Sequence, residues 1–86
     1  MAQVRLRAPL SELTGATDHE LAGATVLDVL EQLEREHPAV LGWVLDETRR
    51  IRPHVNVYVN GQPAREDCTV EQSDRIHVLP SITGGS

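Results

Sequence analysis

The chain has 86 residues, a formal net charge of -5 and a hydrophobic share of 40%, and it contains no Phe, one Trp and one Tyr. This length predicts one small domain, and the composition predicts an aliphatic core. Nucleic-acid-binding proteins need a basic surface and stacking rings, so an acidic chain with so few aromatic residues argues against that class.

The first elements predict a β-hairpin. Residues 3–8 alternate polar and apolar side chains, which predicts a strand. Residues 9–17 hold Gly15 and several polar side chains, which predicts a turn or loop. Residues 18–22 predict a second strand that pairs with the first in an antiparallel hairpin.

A helix is predicted over residues 26–37. Thr25 and Asp28 have the spacing of a capping box with Asp in place of Glu, and Pro38 ends the helix because proline disfavours a helical residue before it. The apolar residues at helical spacing are Val26, Val29, Leu30 and Leu33. So short a helix needs a sheet to cover this face.

The other face of this helix is predicted to be solvated. It carries Glu31, Gln32, Glu34 and Arg35. Glu31 and Arg35 lie four positions apart, which is the spacing of a stabilising ion pair on a helix.

A short helical turn over residues 39–46 is predicted to close one end of the core, and the charged residues 47–54 predict a loop. Residues 55–60 alternate without a break and predict a strand. The sequence Asn60-Gly61 is a strong turn signal, after which residues 62–66 predict a short return strand. Pro63 favours an edge position for that strand, because proline cannot donate a backbone hydrogen bond.

The chain ends with a predicted strand and a slender tail. Residues 67–74 predict a polar connection with Cys68 and Val70 tucked beneath it, and residues 75–79 predict the last strand. Pairing should stop near Pro80. These elements predict an α+β domain over residues 1–81, in which a mixed sheet of four to five strands packs on one main helix, and a flexible tail over residues 82–86.

Three stretches resemble one protein family: RLRAPLSELTG at 5–15, VNVYVNG at 55–61 and DRIHVLPSITGG at 74–85. With the order of elements, they resemble the ubiquitin-like sulfur carriers. That family includes the small subunit of molybdopterin synthase, the thiamin sulfur carrier and the sulfur carrier of a cysteine-synthesis route. The resemblance implies a β-grasp (ubiquitin-like) fold and a carrier or synthase subunit that is not itself an enzyme.

The resemblance also implies chemistry at the Gly84-Gly85 end. An adenylating enzyme like the ubiquitin-activating enzymes would use ATP to activate Gly85, and the resulting thiocarboxylate would deliver sulfur to a synthase. The chain itself would bind no cofactor. Ser86 follows Gly85, so a trimming peptidase that depends on zinc would first have to remove it; the alternative is that Ser86 has no role.

Two other functions remain open. A protein modifier would be joined through Gly85 to lysines of other proteins and needs the same activated end. A ubiquitin-like interaction domain would need no terminal chemistry, so deletion of residues 84–86 would leave its activity intact.

A docking surface is predicted on the open face of the sheet. If Val57 and Val59 point to the core, Tyr58 points away from it, and the last strand places alternate residues on the same side. The predicted partner-binding residues are Tyr58, Arg75, His77, Leu79, Pro80, Ile82 and Thr83. The alternative is an isolated exposed aromatic residue without function.

The remaining reactive side chains predict no further site. The four histidines are far apart in sequence and lack metal-ligand spacing. The lone Cys68 excludes an internal disulfide and is interpreted as a half-buried filler. No apolar run suits a signal peptide or a membrane span, so we expect a protein of the cytoplasm.

Overall fold

The main helix packs on one face of a five-stranded mixed sheet in this computed structural model, which describes residues 1–80. In chain order the elements are β1 (Ala2–Leu6), α1 (Leu10–Thr14), β2 (Asp18–Leu21), α2 (Val26–Glu36), a 3-10 turn (Pro38–Val40), β3 (Val55–Val59), β4 (Gln62–Pro63) and β5 (Arg75–Pro80). This is the predicted α+β, β-grasp arrangement. The predicted tail, residues 82–86, lies outside the described residues.

The last strand runs through the middle of the sheet. The strand order is β2-β1-β5-β3-β4, with β5 parallel to β1 and antiparallel to β3. The predicted antiparallel hairpin of β1 and β2 is confirmed. Because β5 has a paired neighbour on each side, the backbone leading to the chain end is held firmly up to Pro80.

The core is aliphatic, as predicted. All four apolar residues of the α2 stripe are buried, and so are Ile76 and Val78 of β5. The predicted capping box is confirmed at the start of α2. The Asp28 N–H donates to Thr25 Oγ1 and the Thr25 N–H donates to Asp28 Oδ2, each at 3.2 Å.

Part of residues 9–17, predicted as a turn or loop, is the short helix α1. Its Leu10 is buried, and Leu13 packs against the core. Gly15 ends the helix in the left-handed region at φ 84°, and its N–H donates to Ser11 O. A helix of five residues is too short to show a helical period, so tertiary packing decides it.

The solvated face predicted for α2 is wrong at Glu34. This carboxylate is buried, and the predicted pair of Glu31 and Arg35 gives way to ion pairs from Arg49 to Glu31 and to Glu34. The loop before β3 folds back over the helix and supplies the arginine. The spacing of residues along a helix gives no information about a contact with a residue outside the helix, so the sequence did not predict this pair.

The return strand β4 is shorter than predicted. Only Gln62–Pro63 pairs with β3 in the sheet, although the Ala64 N–H still donates to Val57 O. The chain then turns toward the start of α2, where Glu66 O and Cys68 O accept backbone N–H groups of the first helical turn. This role at the helix start draws residues 65 and 66 away from the sheet edge. None of the described helices has the length and apolar character needed to cross a bilayer.

Candidate functional site

The open face of the sheet, turned away from α2, carries the predicted docking residues. Because Ile76 and Val78 are buried, the alternate β5 residues Arg75, His77 and Leu79 lie on the opposite face. Leu79 is half-buried, whereas Arg75 and His77 are exposed. The predicted orientation of these residues is therefore confirmed by the burial pattern of the strand.

One row of side chains crosses the whole open face. His77 lies opposite Tyr58 in β3 and opposite Arg5 in β1, and the outer strands extend the row at both ends. We call this set the transverse row: Asp18, Arg5, His77, Tyr58 and Pro63. It places a phenol and an imidazole in the middle and an ion pair at one end.

The ion pair is the polar end of the transverse row. Arg5 Nε donates to Asp18 Oδ1 at 2.9 Å, and this hydrogen bond, with the attraction between the two charges, raises the pKa of the Arg5 guanidinium. Both side chains are largely exposed, so the pair adds little to stability. It does fix where the positive charge of Arg5 lies beside His77.

The sequence did not reveal Arg5 or Asp18 as members of this face. Their place depends on the parallel pairing of β1 with β5, which joins opposite ends of the chain. The alternation of residues 3–8 would have placed Arg5 on the polar side of its strand. It carried no sign of which strand lies next to it.

Arg75 and Leu79 lie in neighbouring rows, outside the transverse row. Arg75 pairs with Gln3, and Leu79 pairs with Asn56. The predicted patch therefore covers three successive rows of the sheet rather than one cluster.

A polar cluster anchors the start of β5. Asn60 Nδ2 donates to Asp74 Oδ1, and the Arg75 N–H donates to Asn60 Oδ1, each at 2.9 Å. The Glu71 N–H, and after it the Asn60 amide, lower the pKa of Asp74 by stabilising its carboxylate. These bonds fix the register of β5 with β3 and hence the position of Tyr58 opposite His77.

The other end of β5, at Pro80, precedes the predicted reacting residues. Pro80 pairs with Val55, the first residue of β3, and on the opposite side the Arg7 N–H donates to Val78 O at 3.4 Å. Of the predicted site residues, Ile82, Thr83, Gly84, Gly85 and Ser86 lie outside the described part of the chain. Pro80 is the last described residue before them.

The histidines form one contact that the sequence did not indicate. The rings of His19 and His37 meet edge to face with centroids 4.8 Å apart, and His19 Nε2 also lies 3.0 Å from Thr14 Oγ1. Within residues 1–80 no three His, Cys, Asp or Glu side chains are grouped closely enough to hold a metal ion. We therefore interpret the pair of His19 and His37 as a packing contact between β2 and the end of α2.

Residues 4–85 match the ThiS family. The chain belongs to the ThiS family. Members of this family are small carrier proteins rather than enzymes, and the match confirms the predicted membership of the ubiquitin-like sulfur carriers.

The relatives of this ThiS-family chain include modifier proteins and a chain of a solved two-protein complex. Small archaeal modifier protein 1 of Haloferax volcanii is 30% identical over 84 residues, which cover 94% of this chain and 97% of that protein. Its crystal structure superposes with a TM-score of 0.84 and covers 98% of each chain. A chain of the Amycolatopsis orientalis BexX/CysO complex gives a TM-score of 0.88 at 27% identity, over 99% of this chain and all of that one. The chain thus belongs to a family of ubiquitin-like carriers and modifiers.

Proposed function

We propose that this chain is a sulfur carrier that works through the carboxyl group of Gly85. The observation that carries the proposal is the central position of β5, which is paired on both sides and ends at Pro80, five residues before Gly85. A firmly held strand suits the presentation of a slim end to another protein. The family match, which reaches residue 85, supports the same end as the reacting one.

Activation supplies the leaving group that a carboxylate lacks. An oxygen of the Gly85 carboxylate attacks the α-phosphate of ATP on the adenylating enzyme, which forms the acyl adenylate and releases pyrophosphate. Sulfide then attacks the acyl carbon, the bond to the AMP oxygen breaks, and the product is a thiocarboxylate. If the donor is a protein persulfide, a second thiol must cleave the S–S bond to free the same product.

Ser86 stands after the residue that must react. The family match ends at Gly85, one residue short of Ser86. We therefore include in the proposal a peptidase that depends on zinc, which removes Ser86 before activation.

The docking part of the proposal assigns the open face to the adenylating enzyme. Within the transverse row the face offers the phenol of Tyr58 and the guanidinium of Arg5, two side-chain types enriched at protein interfaces, with the imidazole of His77 between them. A sulfur-accepting synthase then takes the thiocarboxylate. The adenylating enzyme uses ATP, and the carrier itself binds no cofactor. We place the carrier and the adenylating enzyme in the cytoplasm.

A second candidate function is protein modification through Gly85. The relative that is 30% identical over 84 residues is named a modifier protein. This chain has eight arginines and no lysine. No side-chain amine of this chain can therefore attack the activated carboxyl of Gly85, which stays available to the lysine amines of other proteins.

Intact mass spectrometry tests the proposed function. The full chain is incubated with extract of its host, and then with the purified adenylating enzyme, ATP and sulfide. We expect loss of Ser86 followed by the mass gain of one oxygen replaced by sulfur. A chain that ends at Gly84 is the matched control and should gain nothing.

The outcomes separate the candidates. A thiocarboxylate on a chain that still carries Ser86 contradicts the trimming step. No sulfur on a chain that ends at Gly85 contradicts the carrier function. Lysines of other host proteins that carry residues 76–85 after tryptic digestion, which cleaves after Arg75, would establish the modifier function instead if no thiocarboxylate form is found.

A further inference from the structure

Two large apolar side chains stay exposed near one end of the sheet. Leu41 is 64% exposed and Trp43 is 44% exposed, and in the described part of the chain the other large exposed apolar residue is Met1. Leu41 and Trp43 share one surface depression with Arg52 and His54. We call these four residues the Trp43 patch.

The backbone beneath the Trp43 patch is well fixed. Gly42 adopts φ 85°, and Arg52 Nε donates to its carbonyl oxygen at 2.6 Å. The Arg52 N–H donates to Val44 O at 2.9 Å, and the side chain of Val44 is buried in the core. A surface that is already ordered loses little conformational entropy on binding, so its exposed indole is available for a partner at low cost.

The Trp43 patch lies beside Pro80, the last residue of β5. His54 directly precedes Val55, and Val55 is the register partner of Pro80. Residues 81–85 span at most about 17 Å when fully extended. An enzyme that reacts with Gly85 must therefore come within that distance of Pro80 and hence close to the Trp43 patch.

The charge around the Trp43 patch differs from that of the whole chain. The residues that line the depression include Arg52 and His54 and no carboxylate, whereas the complete chain has a net charge of -5. Trp and Arg are the residues most often found where binding energy concentrates. A complementary surface would offer an apolar pocket for the indole and a rim of carboxylates.

We propose that the Trp43 patch is a docking surface for the adenylating enzyme, which contacts it at the mouth of its nucleotide site through an apolar pocket rimmed by carboxylates. The inference rests on the proposed function, and it adds a contact separate from the open face. The carrier is thereby gripped beside its reacting end, which raises the local concentration of the Gly85 carboxylate at the nucleotide.

The test is ATP–pyrophosphate exchange by the purified adenylating enzyme of the host, with the chain trimmed to Gly85 as substrate. Trp43→Ala is expected to raise KM for the carrier by roughly tenfold with kcat within about twofold, because the patch binds ground and transition states alike. Thermal unfolding checks that the variant folds.

A charge pair of variants supplies the control. His54→Glu adds a negative charge to the Trp43 patch and is expected to raise KM, more so at low salt. Gln62→Glu adds the same charge beyond the far end of β3, where Gln62 pairs with Val59, and should leave KM unchanged.

The possible results distinguish this inference from the proposed function. If folded Trp43→Ala and His54→Glu chains keep the KM of the unmodified chain, the Trp43 patch does not dock the enzyme, and the proposed function stands. If the chain trimmed to Gly85 and carrying no substitution supports no exchange, the proposed function fails and the docking inference fails with it.

Discussion

Gly23 is required by a close approach rather than by its backbone conformation. A Cβ built on it would lie 2.7 Å from both Val29 Cγ2 and Val29 N, and 2.9 Å from Asp28 Cβ. Two of these three atoms belong to the backbone or to a β carbon, so they cannot rotate away. The segment before α2 therefore packs so closely against the first turn of the helix that it leaves no room for a Cβ at residue 23.

Gly23→Ala is expected to destabilise the fold by about 1–3 kcal/mol, the usual cost of overpacking. Urea denaturation of the two chains measures the difference. Gly42→Ala is the control, because Gly42 has φ 85° and an added methyl group would meet nothing within 4 Å. Its cost is that of a side chain in the left-handed region, about 1–2 kcal/mol, with no steric contact added. Equal stability of Gly23→Ala and the unmodified chain would contradict the close contact.

At the scale of the element, short sequence patterns correctly predicted the features that depend on neighbouring residues alone, such as a helix cap and a tight turn. The capping box at Thr25 and Asp28 forms as expected, and so does the predicted Asn60-Gly61 turn, in which φ is positive at both residues, 51° and 83°. Glu34 shows where such patterns fail. Its position on α2 is polar by helical spacing, but a loop that is distant in sequence covers it.

The loop holds Glu34 through Arg49. Arg49 Nη2 donates to Glu34 Oε1 at 2.8 Å and Arg49 Nε donates to Glu31 Oε2 at 3.1 Å. The Glu34 side chain is 5% exposed, and its Oε2 has no hydrogen-bond partner within residues 1–80. Removal of Arg49 would therefore leave a buried carboxylate without its counter-charge.

Arg49→Ala is expected to destabilise the fold by about 2 kcal/mol, less than for a fully buried pair because Arg49 itself is 41% exposed. In a chain that already carries Glu34→Gln, the same change should cost less, because no buried charge is stranded. Urea denaturation of the four chains gives this coupling as a double-mutant cycle. Arg50→Ala, at an exposed neighbouring position, should change stability little. Additive effects of Arg49→Ala and Glu34→Gln would contradict the coupling.

At the scale of the whole molecule, the sequence predicted most strands and the pairing of chain neighbours, β1 with β2 and β3 with β4, but not the pairing of β5 with β1 and β3. The alternation in residues 55–60 and 75–79 assigned faces correctly, because side-chain direction is a local property of a strand. The order of strands places β5 between β1 and β3 and rests on contacts between distant segments. Only the family resemblance carried that order, so Arg5, Asp18 and the Trp43 patch were missed.

The order of strands makes the open face a continuous surface. With β5 in the centre, the side chains of Arg5, His77 and Tyr58 come from three different strands and lie in one line. Tyr58 lies between His77 and Pro63 in this line and is half-buried by its neighbours. An aromatic ring supported on both sides presents apolar area with little rotamer entropy to lose.

Tyr58→Ala removes this ring from the transverse row. We expect the dissociation constant of the complex with the adenylating enzyme to rise by roughly tenfold, because an interfacial aromatic residue is the kind that concentrates binding energy. Tyr58→Phe keeps the ring without its hydroxyl and should bind within about twofold of the unmodified chain. Titration calorimetry measures both, and circular dichroism checks the fold. An unchanged dissociation constant for a folded Tyr58→Ala chain would remove Tyr58 from the interface and leave the Trp43 patch as the docking surface near the chain end.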